Sequence, residues 1–437
     1  MKKSILFFIA ALAVFSFSAN AQLFNTVLFS VPSCTTNYST TIVRVAQSNT
    51  EVVSYHSHGQ YGEFFLANNN SVLYNFQLPQ DMYIKDFQIL DNNVFFCGSY
   101  LGRGIVGVYR MSLFYGTTIS LHYIYTSDIS YFKKMCVYYD QQGTNIHVEV
   151  IGDKVDSNND ISNCLTDILY DGSLLHYVSS YVLGGPYYPT DEDGIFQDIT
   201  VTEDYLVVSG REKTGNKLRI SRFNKHSVSS GGRFFYYDET PYPETNSTVA
   251  IESLDGNNII TAALYINPNS AVFGTRLRTI DVSTMININT QIIPTVDKPV
   301  PEEMVFSLYD GTLLLLQKTE YPSNTTPQSV VYELDPYSNN YSANVNYNLN
   351  GYYTSMDCFS SQVFILTGLG ANMHHCFLLK NRSYTTIGCI NKGDIFVSKG
   401  QDLAVQEQPR SQYPISFTPT FYQTPVHTVN IKKDCEK

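Results

Sequence analysis

Two aspartates, Asp86 and Asp198, occupy matching places in a repeated pattern. Each stands eight residues before the first apolar residue that follows a polar turn, Val94 in one case and Leu206 in the other. Glu252 lies close to the same layer of a later repeat. Carboxyls held at one depth of a channel are the groups that general acid and base work on a polysaccharide would use. Polar first-strand residues that merely line a water-filled channel account for the same three positions.

A second set of oxygen-bearing residues lies in acidic loops. Asp156-x-Asn158-x-Asp160 alternates as calcium ligands do, and Asp167 stands at the twelfth position, where a bidentate carboxylate would close the shell. Ile161 occupies the sixth position, where such a loop needs glycine, so the match to an EF-hand loop is partial. Asp191-Glu192-Asp193-Gly194 followed by Asp198 is similar to an integrin-type calcium loop with one residue too many after the glycine. These loops make calcium the one cofactor the sequence suggests, although acidic solvated turns would read the same way. His56-x-His58 puts two imidazoles on the same side of a strand end, a spacing that suits zinc, and His374-His375 enters a third strand on the same expected face, although isolated exposed histidines are the commoner reading.

The remaining candidates are aromatic. Tyr187, Tyr188, Tyr242, Tyr352 and Tyr353, with Tyr236, Tyr237 and Tyr321, fall in or beside segments that read as links between repeats. Tyrosine offers a flat apolar face and a hydroxyl, a combination suited to a sugar or a peptide. Packing between neighbouring repeats would employ the same residues. No G-x-S-x-G, phosphate-binding glycine loop or HExxH stands in the chain. Sialidase Asp-boxes and the WD40 and kelch signatures are missing too, and with no tryptophan the docking motif of quinoprotein dehydrogenases is out of reach.

The element that must position these side chains is a hairpin. Residues 195–210 carry two runs rich in β-branched and aromatic residues around a polar turn at Glu203-Asp204. Similar hairpins recur with first apolar residues at Val52, Val94, Ile146, Leu206, Ile259, Leu313, Val363 and Leu403. Third strands follow at Ile105–Met111, Leu218–Phe223, Leu277–Val282, Val330–Leu334 and Cys376–Leu379. Four short strands per repeat of some 40–60 residues predict an all-β protein, a β-propeller of seven or eight four-stranded antiparallel blades. Gly393–Ile431 supplies the weaker eighth repeat, and Phe24–Val31 is placed to complete the last blade. Because strand direction alternates within a blade, the long second-to-third-strand loops and the inter-blade links share one face. That loop-rich face is where binding is expected.

Composition narrows the partners. Met1-Lys2-Lys3, the apolar run Ile5–Phe17 and Ala19-Asn20-Ala21 form a signal peptide over residues 1–21, leaving 22–437 as one propeller domain. Its basic start and short apolar run resemble those of Gram-negative export signals. Export to the periplasm, the cell surface or the medium follows. Without Lys2 and Lys3 the chain has 26 basic against 39 acidic residues, a balance of −13, which argues against nucleic acid. No later run is long enough to span a membrane. Eight cysteines in an exported chain permit disulfides, and Cys34 with Cys435 could staple the ends, although those within strand patterns read equally as buried thiols. The function expected is that of a non-catalytic propeller binding a protein, peptide or glycan through its loop-rich face. The alternative is a polysaccharide hydrolase or lyase using channel carboxylates.

Overall fold

The computed structural model describes residues 28–30, 40–46, 51–58, 60–67, 73–155, 161–183, 195–211, 217–225, 232–238, 249–266, 273–295, 297–307, 311–320, 329–337, 345–349, 351–360, 363–370, 375–381, 390–394, 398–399, 407–408, 417–425, 427–429 and 432–433. Apart from one short 3-10 turn at Met111–Tyr115, the regular elements among them are strands, and every pairing is antiparallel. The hairpin read from residues 195–210 is formed by Ile195–Val201 and Tyr205–Arg211. Repetition of that unit builds a β-propeller.

The strands group into six sheets, which corrects the expected seven or eight separate blades. One cause is the strand Thr118–Tyr139, which runs for 22 residues without a break. Its first half pairs with Arg103–Arg110 as the outer strand of one four-strand unit, and its second half pairs with Ile146–Val155 as the inner strand of the next. Two units thereby fuse into one eight-stranded sheet that lends two strands to the channel wall. The other five sheets lend one each: Thr41–Ala46, Ile195–Val201, Val249–Ser253, Pro299–Ser307 and Gly351–Ser360.

The second cause lies at the C-terminal end. The described strands between 390 and 433 do not pair with one another as a further repeat. Each adds instead to the outer edge of a different sheet. Ile390–Asp394 pairs with Val345–Leu349, Ser398–Lys399 with Ile286–Thr295, and Glu407–Gln408 with Gly232–Asp238. Phe417–Pro425 then pairs with the first half of Thr118–Tyr139, and His427–Val429 with Leu73–Gln77. Lys432–Lys433 ends the belt on Leu28–Ser30. An outer strand with free N–H and C=O groups is a template for unwanted pairing, and the belt occupies that edge. Leu28–Ser30 itself is the fourth strand of the last sheet, beside His375–Asn381, so the two ends close the ring as Phe24–Val31 was expected to do.

Between sheets the core is aliphatic and aromatic. Phe64, Phe76, Tyr109 and Phe114 interlock at ring-centroid distances of 5.1–5.9 Å, supplying the volume that tryptophan provides elsewhere. Cys97, Cys136, Cys164 and Cys358 are buried free thiols in this core, so the disulfide expectation fails among the described residues. Cys34 and Cys435 lie outside them.

Candidate functional site: a charged channel ending in a cavity

The inner strands carry a recurrent irregularity that decides which side chains reach the axis. Ladder register slips by one residue between Ile84 and Asp86, Phe196 and Asp198, Pro301 and Glu303, and Tyr353 and Ser355. The same slip skips Lys133 opposite Ile151 and Gly152. Each is a β-bulge, which re-aims the following residue. A glycine faces the residue before the bulge in four cases, Gly98, Gly152, Gly210 and Gly368. A Cβ on Gly98 would sit 1.9 Å from the Tyr83 carbonyl oxygen, and one on Gly368 2.3 Å from that of Tyr352. At these positions the close approach of the bulged strand leaves no room for a side chain, whereas the bulge after Pro301 faces Gln317 instead.

The residues delivered in this way form one layer: Asp86, Lys134, Asp198, Glu303 and Ser355. Two residues further along the inner strands, Arg44, Gln88, Glu252 and Asp357 form a second. Most of the carboxyls tie neighbouring strands together. Asp86 accepts the Phe87 N–H and, across to the next inner strand, the Met135 N–H at 3.0 Å. Asp198 accepts from Ile199 and Ile251, and Asp357 from Cys358 and Val45, in the same two-armed way. Glu303 accepts the Met356 N–H and the Ser355 hydroxyl. Each arm across a gap fastens one strand of the ring to the next with a hydrogen bond strengthened by charge.

Arg44 fixes this arrangement at its centre. Its guanidinium pairs with Asp86 and Glu303, each at 2.8 Å, and donates to the Phe87 and Val43 carbonyls. Burial alone would lower its pKa, but Glu303, Asp86 and Asp357 outweigh that and keep it charged. Lys134 is likewise raised against its burial by Asp198, Asp86 and Glu303. Glu303 feels burial pushing it up, yet Arg44, Lys134 and its hydrogen bonds bring it below the usual range. Asp198 and Asp357 are each raised to about 6 by burial, with Lys134 and Arg44 respectively opposing.

Glu252 breaks the pattern. Among the described residues no hydrogen bond ties it to a neighbouring inner strand; it accepts the N–H of Ser253, next in sequence. Burial, then Asp198, Asp357 and Glu303, push its pKa well above the usual carboxylate range. It stands on the wall of a cavity of about 540 Å³, with Arg44, Gln88, Glu303 and Asp357 around it and Met304, Phe306 and Met356 as the apolar part. Thr202-Glu203 and Asp255-Gly256, which are first-to-second-strand turns, rim it. The cavity thus lies at the end of the channel opposite the loop-rich face. Its carboxyl-rich lining disfavours an anionic ligand and suits hydroxyls or a cation.

Of the three proposed catalytic carboxyls, then, all belong to the channel wall, but only Glu252 lines the cavity; Asp86 is fully engaged with Arg44 and backbone N–H groups. Lys134, Glu303 and Asp357 were missed. Counting back from the hairpin turn finds Asp86 and Asp198 at eight residues, but longer turns put Lys134 twelve before Ile146 and Glu303 ten before Leu313. The mid-strand glycines were the better signal.

The other sequence candidates scatter. Asp156, Asn158, Asp160, Asp191, Asp193, Tyr187, Tyr188 and Tyr242 lie outside the described residues. Asp167 sits within the strand Ile161–Tyr170, where it is the cross-strand partner of Glu149. Tyr353 is buried, its N–H bonded to Ser329 Oγ, whereas Tyr352 is half-exposed. Tyr237 is buried too, its hydroxyl donating to the Met285 carbonyl of the next sheet, so these two tyrosines pack between units. His56 is a core residue, edge-on to Phe65, with Nε2 3.1 Å from Ser54 Oγ. The side chains of His58, His374 and His375 lie outside the described residues.

No protein-family model matches the chain, and no curated protein does. Among solved structures, it is similar to the NanB sialidase from Streptococcus pneumoniae at 7% identity and a TM-score of 0.40, over 81% of this chain and 70% of that one. It is similar to the polysaccharide lyase Uly1 at 8% identity and 0.38, over 82% and 98%. An engineered GH43 glycoside hydrolase aligns over 90% and 88% at 8% identity and 0.16. At these scores nothing about this chain's chemistry follows from them. Among the described residues, no helix is long and apolar enough to cross a membrane.

Proposed function

We propose that this chain is an exported, non-catalytic β-propeller, residues 22–437 after loss of 1–21, that binds a protein, peptide or glycan ligand. The reading favoured within that class is a glycan whose neutral, hydroxyl-rich end enters the channel cavity. The observation that carries it is the exemption of Glu252 from strand tying: a carboxyl raised well above its usual range and turned to a cavity is a ready hydrogen-bond donor to a hydroxyl. Phe306 and the two methionines supply apolar surface for a sugar face. The loop-rich face with Tyr187, Tyr188 and Tyr242 remains a second surface for a larger partner.

One observation favours a catalytic reading, polysaccharide hydrolysis or elimination. Glu252 is raised while Glu303, on the same cavity, is lowered, and carboxyls driven apart in this way can divide acid and base roles. Against it, Glu303 spends its oxygens on Arg44, Ser355 and Met356.

A glycan array probed with the mature protein and with Glu252→Gln tests both. Binding of neutral glycans that weakens in the variant, with no new reducing ends or unsaturated products, is expected. Turnover lost in the variant would establish the catalytic reading instead, and retention of only basic peptides would overturn the glycan.

A further inference from the structure

A second group of ionisable side chains lies away from the channel, inside the eight-stranded sheet. His147 and Glu149 alternate along Ile146–Val155 and so share a face, and Asp167 is the direct cross-strand partner of Glu149. One ligand atom from each of the three lies within 4.8 Å of the others, with His147 Nδ1 2.8 Å from Asp167 Oδ1. The supporting shell is rigid. The Tyr138 ring stacks on His147 at 5.2 Å with planes 10° apart, while its hydroxyl lies 2.9 Å from both Glu149 Oε1 and the Lys225 carbonyl of the next sheet. The register of Ile161–Tyr170 against Leu175–Leu183 slips immediately after Asp167, a bulge at the residue whose side chain closes the cluster.

An independent observation points to a missing occupant. Glu149 is completely buried, and although Oε1 is engaged, Oε2 is enclosed and has no hydrogen-bond partner. An enclosed carboxyl oxygen without a partner is costly, and two carboxyls side by side in the interior make it more so. The nearest lysine does not answer this: Lys225 Nζ lies over the Tyr138 ring at 4.8 Å and donates to the Glu203 carbonyl.

We propose that His147, Glu149 and Asp167 bind a zinc-class divalent cation between the strands of this sheet. One imidazole nitrogen and two carboxylates are a donor set for zinc or its first-row neighbours. Calcium would want six to eight oxygens, and magnesium an octahedron of them, more than this enclosed site offers. The cation would give Glu149 Oε2 its partner and, through Tyr138 and Lys225, fasten this sheet to the next. His147, with 17% of its side chain exposed, is the most accessible of the three and marks the entry path. The site is separate from the cavity and does not depend on what the cavity binds.

The test is equilibrium dialysis of chelator-stripped mature protein against zinc, calcium or magnesium, followed by elemental analysis. One zinc per chain is expected, with neither calcium nor magnesium retained. His147→Ala, at the most accessible of the three positions, and the near-isosteric Glu149→Gln should each weaken zinc binding by about tenfold or more. Cobalt in place of zinc should show visible absorption bands that His147→Ala removes. Sub-stoichiometric zinc in the wild type, calcium held in its stead, or undiminished zinc in His147→Ala would overturn the assignment.

Discussion

Neighbouring carboxyls of the channel wall receive opposite treatment. Asp86, Asp198, Glu303 and Asp357 hand their oxygens to backbone N–H groups of the next inner strand, so their function is spent on closing the ring. Glu252, among the same charges, ties nothing and faces the cavity. Identical chemistry thus serves architecture in one place and is left available in another. A charged residue in a propeller channel is informative only after its backbone partners are known.

That contrast can be broken by substitution, and the largest effect should come from its hub. Arg44→Ala would leave Asp86 and Glu303 buried without their cation, and we expect a loss of about 3–5 kcal/mol in urea unfolding. Next, Asp198→Asn removes one of two acceptors on a strand-to-strand tie and should cost about 1–3 kcal/mol; no loss would mean that these ties are incidental. The pH response should be smaller and of a particular sign. Asp198 and Asp357 hold protons more tightly in the folded chain, at about 6 against an ordinary 3.8, so the folded state takes up protons as the pH falls from 7 to 5 and these groups raise stability there. Glu303 works in the opposite sense, its contribution being lost as the pH falls from its ordinary 4.5 toward its lowered folded value. Unfolding free energies measured between pH 7 and 5 should therefore rise on acidification, and the rise should shrink in Asp198→Asn. Smallest of all, Glu252→Gln keeps the shape of a side chain that ties no neighbouring strand and should change stability at pH 7 by less than about 0.5 kcal/mol.

The sequence carries the inner hairpins and third strands plainly, because alternating apolar runs and polar turns mark a half-buried antiparallel strand wherever they occur. The belt was not visible there. Its strands are two to nine residues long and are held by neighbours roughly 40 to 400 positions away, so no local pattern distinguishes them from a weak repeat. Nor could the fusion of two units be read, since Thr118–Tyr139 lacks the link that separates blades elsewhere. Asp86 and Asp198 were legible from their equal offsets; Lys134 and Glu303 were hidden by turn length, and what distinguishes Glu252, the lack of a tie to the next inner strand among the described residues, shows only in three dimensions. The loop-rich face drew attention by length, whereas the cavity sits among short turns.

The proton of Glu252 is what makes the cavity a donor to hydroxyls, and infrared difference spectroscopy reports it directly. Subtracting Glu252→Gln from wild type at pH 7 should leave the carbonyl stretch of one protonated carboxylic acid, lost only on raising the pH further. A difference spectrum showing an ionised carboxylate at pH 7, titrating near the ordinary 4.5 of glutamate, would contradict it.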